Sequence, residues 1–190
     1  MVWLPLVHRL PQPRQFRIYY QEYDAPKHLN LARSDWGIGA DGDHSEYDVI
    51  QCPAGTSADK CTQYITGTWM PRPAVPPSSP TAEHLVKAHF HCHAPTCIRM
   101  ELWNNDTGKL LCREEAVHGG TGQIDQKKYD EKGYIAMPPC LWGSAADGLE
   151  PPPVISGVTI RVTSLTNNTY GHHGEMALPE MSFVSLPVKH

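Results

Sequence analysis

The chain has 190 residues, of which 40% are hydrophobic and 19% are charged, with 18 prolines and 15 glycines. This composition is too apolar for a disordered chain and too rich in proline for a helical bundle, and the length fits one domain. A formal net charge of −4 without any Lys/Arg-rich run gives no electrostatic reason to expect nucleic acid or an anionic membrane as a partner. No apolar run approaches the roughly 18 residues that a transmembrane helix needs.

The predicted elements are β-strands separated by turn signals. In chain order they cover residues 16–23, 63–70, 85–93, 98–103, 109–115, 134–137, 159–165 and 175–184. The fourth and fifth form a hairpin around the turn at residues 104–108, and alternation in the fourth places Ile98, Met100 and Leu102 inward.

No stretch with helical periodicity exceeds a turn or two, and no internal repeat is visible. The predicted fold class is therefore all-β, an antiparallel β-sandwich or jelly roll, stapled by disulfides and with long Pro/Gly-rich loops. Residues 1–14 are predicted to be an extended N-terminal segment, and residues 15–190 to form a single domain.

The cysteines predict disulfide bonds in an oxidising compartment, because their number is even and they lack the C-x-x-C pairs typical of zinc sites. The six candidates are Cys52, Cys61, Cys92, Cys97, Cys112 and Cys140. Their connectivity stays open, since six cysteines allow fifteen pairings. We therefore expect a secreted, extracellular or lumenal protein, with glycosylation candidates in the N-x-T triplets at Asn105 and Asn167. No leader peptide is evident, because the apolar opening is short and contains Pro5.

Three histidines stand on alternate positions of one predicted strand, in the sequence H-F-H-C-H of residues 89–93. On a strand all three face one side, and imidazoles that converge there suit zinc, nickel or copper. The segment G-H-H-G-E-M at residues 171–176 adds a thioether, and a His-x-His pair with a methionine favours copper in its softer, reduced state. The predicted ligands of one copper ion are His91, His93 and Met176, the additional candidates are His89, His172 and His173, and zinc is the alternative ion.

These motifs resemble the C-terminal domain of the ascorbate-dependent type II copper monooxygenases, the family of dopamine β-hydroxylase and peptidylglycine α-hydroxylating monooxygenase. In that family an H-T-H strand precedes a hairpin with an acidic turn, as His91-Cys92-His93 here precedes residues 98–103 and the turn at 104–106. Further along, the family has a glycine-containing segment ending in E-M, here residues 171–176. Upstream, Cys61-Thr62 and residues 35–38 look like the family's cysteine-bearing strand and its opening turn.

The resemblance implies a jelly-roll-like domain in which copper supports the oxygen-dependent hydroxylation of a substrate. The sequence departs from the family at the electron-transfer copper. Residues 19–23 lack the histidine that the family uses as a ligand of this copper, and the chain has no room for the domain that carries it. In addition, Ala177 replaces the family's cysteine, and Pro179 interrupts a predicted strand. We therefore expect a separate electron-donor domain, an external reductant or other protein subunits as partners.

Two alternatives remain open from the sequence. The chain could be a non-catalytic structural or assembly module that keeps the fold with or without a metal. It could also be a zinc hydrolase built on His89, His91 and His93, although no carboxylate stands at a spacing that marks it as a general base. The sequence indicates no substrate and no catalytic residue other than the metal ligands.

Overall fold

The computed structural model describes residues 22, 24, 46–71, 80–93, 96–118 and 135–188, together with the strand Arg33–Trp36; for that strand and for residues 118, 135 and 136 it describes the backbone alone. The predicted segment 1–14 and most of the predicted strand 16–23 lie outside the described residues. So do the proline-rich connection at 72–79 and the glycine-containing stretch at 119–134.

Within the described residues the chain forms β-strands and a single 3-10 turn, Ala145–Asp147. The strands are β1 Arg33–Trp36, β2 Tyr47–Val49, β3 Thr62–Trp69, β4 Thr81–His91, β5 Cys97–Asn104, β6 Lys109–Glu115, β7 Val117–His118, β8 Ile135–Ala136, β9 Cys140–Leu141, β10 Ile160–Asn167, β11 His172–Glu175 and β12 Leu178–Pro187. The predicted all-β class is confirmed. The single predicted strand 175–184 was wrong in its bounds, because the chain leaves β11 at Glu175 and enters β12 at Leu178.

The strands form two four-stranded antiparallel sheets and two short ribbons. The first sheet has the order β1-β12-β4-β9 and the second the order β3-β10-β5-β6, while β11 pairs with β2 and β7 with β8. Side chains from both sheets share one buried cluster, so the sheets pack face to face as a sandwich. Members of that cluster from the first sheet are Leu85, Ala88, Phe90, Met181 and Phe183, and members from the second are Ile65, Met100, Leu102, Ile160 and Val162.

The hairpin of β5 and β6 confirms the predicted turn at residues 104–108, where Gly108 has a φ of 70°. Met100 and Leu102 are buried as expected, but the expectation for Ile98 was wrong, because this residue at the start of β5 is 37% exposed. Glu101 lies on the outer face and is nevertheless only 6% exposed. Arg113 Nε at 2.8 Å and Trp103 Nε1 at 3.1 Å both donate hydrogen bonds to its carboxylate.

A β-bulge in β4 decides which way the histidines face. Lys87 pairs with Ser182 and Leu85 with Phe183, so Val86 is the extra residue of the bulge. Leu85 is buried on the near side of the bulge, and Ala88 and Phe90 are buried on the far side. Without the bulge the odd-numbered histidines would follow Leu85 into the core, whereas with it they lie on the opposite face.

Pro179 lies inside β12 although a proline cannot donate to a sheet ladder. Its partner Phe90 turns its backbone N–H away from β12, toward the carboxylate of Glu114 at 3.2 Å. In an antiparallel pair of this kind the partner's nitrogen also points away, here toward β1. The described pairs between β1 and β12 run from Arg33 opposite Phe183 to Trp36 opposite Glu180, and none of these described pairs includes Pro179.

The six cysteines form three disulfides, which confirms the prediction of cross-links. The pairs are Cys52–Cys61, Cys92–Cys97 and Cys112–Cys140. Three disulfides are typical of proteins from oxidising compartments. Among the described residues no helix has both the length and the apolar character needed to cross a lipid bilayer.

Candidate metal site

Two of the predicted ligands meet where β4 ends. The ring centroids of His91 and His93 are 5.1 Å apart and their planes stand at 86° to each other. With metal–nitrogen bonds of about 2.0–2.1 Å and nitrogens about 1.1 Å from the ring centre, two imidazoles at a tetrahedral angle have centroids roughly 5 Å apart. The separation of the two rings therefore matches that of two ligands of one ion.

The environment of His91 favours the neutral form of its imidazole. Partial burial of the ring is the main reason that the pKa of His91 lies below its ordinary value, although the residue as a whole is exposed. The neighbouring imidazole of His93 lowers this pKa further, while the carboxylate of Glu175 acts in the opposite direction. A neutral imidazole has the free nitrogen lone pair that a metal ion needs.

The carboxylate of Glu175 ties the end of β4 to the end of β11. Its side chain is completely buried. Oxygen Oε1 accepts hydrogen bonds from the backbone N–H of His93 at 2.7 Å and of Met176 at 3.1 Å, while Oε2 accepts one from the hydroxyl of Thr96. One buried carboxylate therefore fixes the backbone at two of the three predicted ligands.

Met176 lies beside His93 in space, although the two are far apart in the chain. Their backbone nitrogens donate to the same oxygen atom of Glu175. The ladder between β12 and β4 ends with Leu178 opposite His91, so Met176 and His93 each lie two residues beyond its last pair. Met176 is half-buried at this position.

His172 reaches the same region from β11. Its Nε2 atom lies 2.9 Å from the hydroxyl of Thr96 and 3.7 Å from Oε2 of Glu175. The ring of Tyr170 stacks on the ring of His172, with centroids 6.4 Å apart. His172 therefore contacts Thr96 and lies next to the Glu175 carboxylate.

The other two candidate histidines have acidic partners. His173 is exposed, and its Nδ1 atom lies 2.6 Å from the carboxylate of Asp48; this hydrogen bond is the main cause of a raised pKa for His173. His89 lies on the same face of β4 as His91, with its Nδ1 atom 3.4 Å from Oε2 of Glu114. These contacts hold His173 at the β2–β11 ribbon and His89 beside β6.

Glu114 is a buried carboxylate that completes the edge of β4. It is 2% exposed and accepts a hydrogen bond from the backbone N–H of Phe90. Phe90 lies two residues beyond Ala88, the last residue of β4 that pairs with β9. Burial raises the pKa of Glu114 above its ordinary value, and the contact with His89 reduces that effect. In the described part of the chain, Cys112, Glu114 and Cys140 form a group of three potential ligands within 4.8 Å of one another. The two cysteines are joined as a disulfide and so have no thiolate to offer.

The chain matches no family model, no curated protein and no solved structure.

Three residues that shape the site were not predicted from the sequence, namely Thr96, Glu114 and Glu175. Glu175 belongs to the E-M pair of the sequence motif, but its burial depends on a contact with His93, which is 82 positions away in the chain. Glu114 has one local signal, since it alternates with Cys112 on β6 and so shares the inward face. Thr96 has no local signal of its own.

Proposed function

We propose that this chain is a copper-binding β-sandwich domain in which His91 and His93 supply nitrogen ligands and Met176 supplies a thioether. The observation that carries the proposal is the pair of imidazoles 5.1 Å apart at the end of β4, tied to the Met176 segment through Glu175. Two imidazoles and one thioether form a mixed set that favours copper over zinc and is well suited to the reduced ion.

The scaffold supports this proposal because contacts within the protein hold the two ligand-bearing segments. The bulge at Val86 turns the histidines away from the core, and the disulfide Cys92–Cys97 closes the short loop that carries His93. The buried Glu175 carboxylate then links that loop to the Met176 backbone. A site whose ligands are fixed in advance loses less conformational freedom when it binds an ion.

Copper, when bound, would supply one-electron oxygen chemistry, as the resemblance to the oxygen-site half of the type II copper monooxygenases implies. The roles of the protein would be to orient the two imidazoles, to present the thioether and to leave a position open for a reactant. Electrons would come from an external reductant or from a separate donor domain. Secretion, or passage through a lumenal compartment, is part of the proposal and agrees with the three disulfides.

The first test is the metal content of the protein after purification without added metal, followed by titration with Cu(I). We expect one copper per chain. His91→Ala and His93→Ala should each weaken Cu(I) binding by at least about tenfold, because mutating even a residue that only hydrogen-bonds to a metal ligand typically costs 10–100-fold in affinity. His84→Asn is the matched control: it lies on the same strand and its Nδ1 contacts the carbonyl of Pro152 at 3.1 Å.

Zinc in place of copper, or equal binding by His91→Ala and the control, would refute the copper assignment. The alternative of a non-catalytic module is tested separately by oxygen consumption of the copper-loaded protein with ascorbate. Consumption that requires His91 and His93 supports an oxidase or hydroxylase role. Stoichiometric copper without oxygen consumption, in the presence and absence of co-purifying chains, supports the module.

A further inference from the structure

The two four-stranded sheets have four edge strands among the described residues, and three of these strands are protected against pairing with another chain. β1 and β9 have only four and two residues, and β6 carries four charged residues among its seven. Short length and charged residues are two devices by which proteins keep an edge strand from pairing with a further strand. The fourth edge strand, β3, has neither.

β3 is a long, regular and uncharged strand. Its eight residues, T-Q-Y-I-T-G-T-W, include no charged residue and no proline, and its register with β10 continues without a bulge from end to end. Among the described strands only β10 pairs with it. Most of its residues are threonine, tyrosine, isoleucine and tryptophan, which favour strands. Such an edge can accept another strand.

The backbone groups of β3 that point away from β10 include those of Tyr64, Thr66 and Thr68. The N–H of Asn168, just after β10, donates to the carbonyl of Cys61, just before β3, at 2.9 Å. Hydrogen-bonded pairs alternate along an antiparallel ladder, so the next such pairs involve positions 63, 65 and 67 of β3. The residues between these positions direct their N–H and C=O groups to the free side. Tyr64 is 58% exposed, and both threonines are exposed as well.

The residue order of β3 is complementary to itself. When two copies of the strand run antiparallel about a two-fold axis at Thr66, this residue lies opposite its own counterpart, and Tyr64 lies opposite Thr68 of the second copy. The backbone groups of all three residues point outward, so each of these pairs can exchange two hydrogen bonds. On the inner face the same register sets Ile65 opposite Gly67 of the second copy. A glycine inside a strand is typical of a place where another backbone approaches closely.

We propose that β3 is the interface through which two copies of this chain form a dimer, joining their β3-β10-β5-β6 sheets into one continuous antiparallel sheet. The occupant of the edge is a second copy because the strand carries no charge that would repel its counterpart. Pairs of tyrosine with threonine and of threonine with threonine add favourable contacts on the outer face. A two-fold interface closes on itself, so assembly ends at the dimer. The proposal goes beyond the copper function and does not depend on it.

The first measurement is sedimentation equilibrium of the full chain over a series of concentrations, combined with amide hydrogen exchange. We expect an equilibrium between monomer and dimer. The amides of Tyr64, Thr66 and Thr68 should exchange slowly in the dimer and faster on dilution, because these N–H groups point away from β10. The amides of Ile65 and Gly67 are an internal control: they face β10, so their exchange should depend much less on concentration.

Thr66→Lys separates this interface from other surfaces, with Thr66→Val at the same position as its matched control. Lysine sets two like charges opposite each other across the axis, where Cα atoms of a hydrogen-bonded pair are about 5.5 Å apart. It should weaken dimerisation by at least about tenfold, and added salt should restore part of the affinity by screening the charges. Valine favours strands and adds no charge, so Thr66→Val should dimerise like the wild type.

Circular dichroism and urea denaturation of both variants check that the fold is kept. The proposal is overturned by a monomer at every concentration, by assemblies that grow beyond the dimer, by a dimer whose amides at positions 64, 66 and 68 exchange freely, or by equal dimerisation of the two variants. Hydrogen exchange of the wild type needs no variant, so the proposal is tested even when Thr66→Lys unfolds. Copper titration is a separate measurement, so failure of the copper function and failure of the dimer are distinguishable.

Discussion

Replacing Glu175 with alanine tests whether one buried carboxylate holds the candidate site together. Glu175 is completely buried and accepts hydrogen bonds from the backbone of His93, the backbone of Met176 and the hydroxyl of Thr96. Alanine removes all three acceptor contacts at once. A buried donor without a partner costs about 1–3 kcal/mol.

The magnitude follows from how easily water replaces the carboxylate at each donor. The hydroxyl of Thr96, which is 3% exposed, keeps its contact with His172, whereas His93 and Met176 are half-buried and can be reached by water. Counting all three donors at the low end therefore gives a loss of about 3 kcal/mol for Glu175→Ala. Glu175→Gln keeps one oxygen acceptor and should lose about 1–2 kcal/mol.

The assay is urea denaturation followed by circular dichroism, with Glu180→Ala as the matched control. Glu180 lies on β12, the next strand along the chain, and pairs with Lys87 at 3.2 Å near the surface, so its removal should cost less than about 1 kcal/mol. A loss for Glu175→Ala no larger than that of the control would refute this account of the carboxylate.

Three further predictions concern acidity and cross-linking. Because the pKa of Glu114 is raised in the folded protein, the native state binds the proton of this carboxyl group more tightly than the unfolded state does. The free energy of unfolding should therefore fall as pH rises through the acidic range. Glu114→Gln should make the free energy of unfolding less dependent on pH, as measured by denaturation curves at several pH values. The pKa of His173 is raised above its ordinary value by the hydrogen bond with Asp48, so the ion pair is complete at mildly acidic pH and is lost as pH rises through the folded pKa. In an NMR titration Asp48→Asn should lower the pKa of His173. A disulfide that closes a longer loop restricts the unfolded chain more. Removing Cys112–Cys140, with a separation of 28, should therefore lower the free energy of unfolding by about 3–4 kcal/mol, against about 2 kcal/mol for Cys92–Cys97, with a separation of 5. Equal losses of stability in denaturation experiments would contradict this dependence on loop length.

Alternation and turn chemistry were sufficient to predict the strands whose environment is local. The hairpin of β5 and β6 follows from its turn residues, and the inward positions of Met100 and Leu102 follow from period-two patterning. Ile98 was predicted inward by the same rule and is 37% exposed, because it is the extra residue of a β-bulge: Arg99 pairs with Leu165 and Cys97 with Thr166. The local pattern does not indicate this bulge.

The direction of the histidines depended on a feature that the sequence pattern does not contain. Alternation correctly places His89 and His91 on one face, but which face is decided by the bulge at Val86. Nothing in the residues 85–88 marks the bulge, since valine is an ordinary strand residue. The register with β12, set by packing of the whole sheet, determines it.

Contacts between distant segments account for most of what the sequence did not reveal. The pairing of Cys112 with Cys140 needs the short strand β9 beside β4, and the burial of Glu175 needs the loop of His93 to fold over it. The surroundings of Pro179 in β12 are likewise tertiary, because its partner Phe90 donates its backbone N–H to Glu114 and not to β12. Composition and local sequence pattern do not indicate which distant segments become neighbours in the fold.

The most direct test of the copper proposal is X-ray absorption at the copper edge of the protein loaded with one copper and reduced with ascorbate. We predict scattering from two imidazoles and one sulfur, and loss of the sulfur contribution in Met176→Leu while the imidazole contribution remains. A spectrum without sulfur in the wild-type protein, or a sulfur signal that persists in Met176→Leu, would contradict the assignment of Met176 as a ligand.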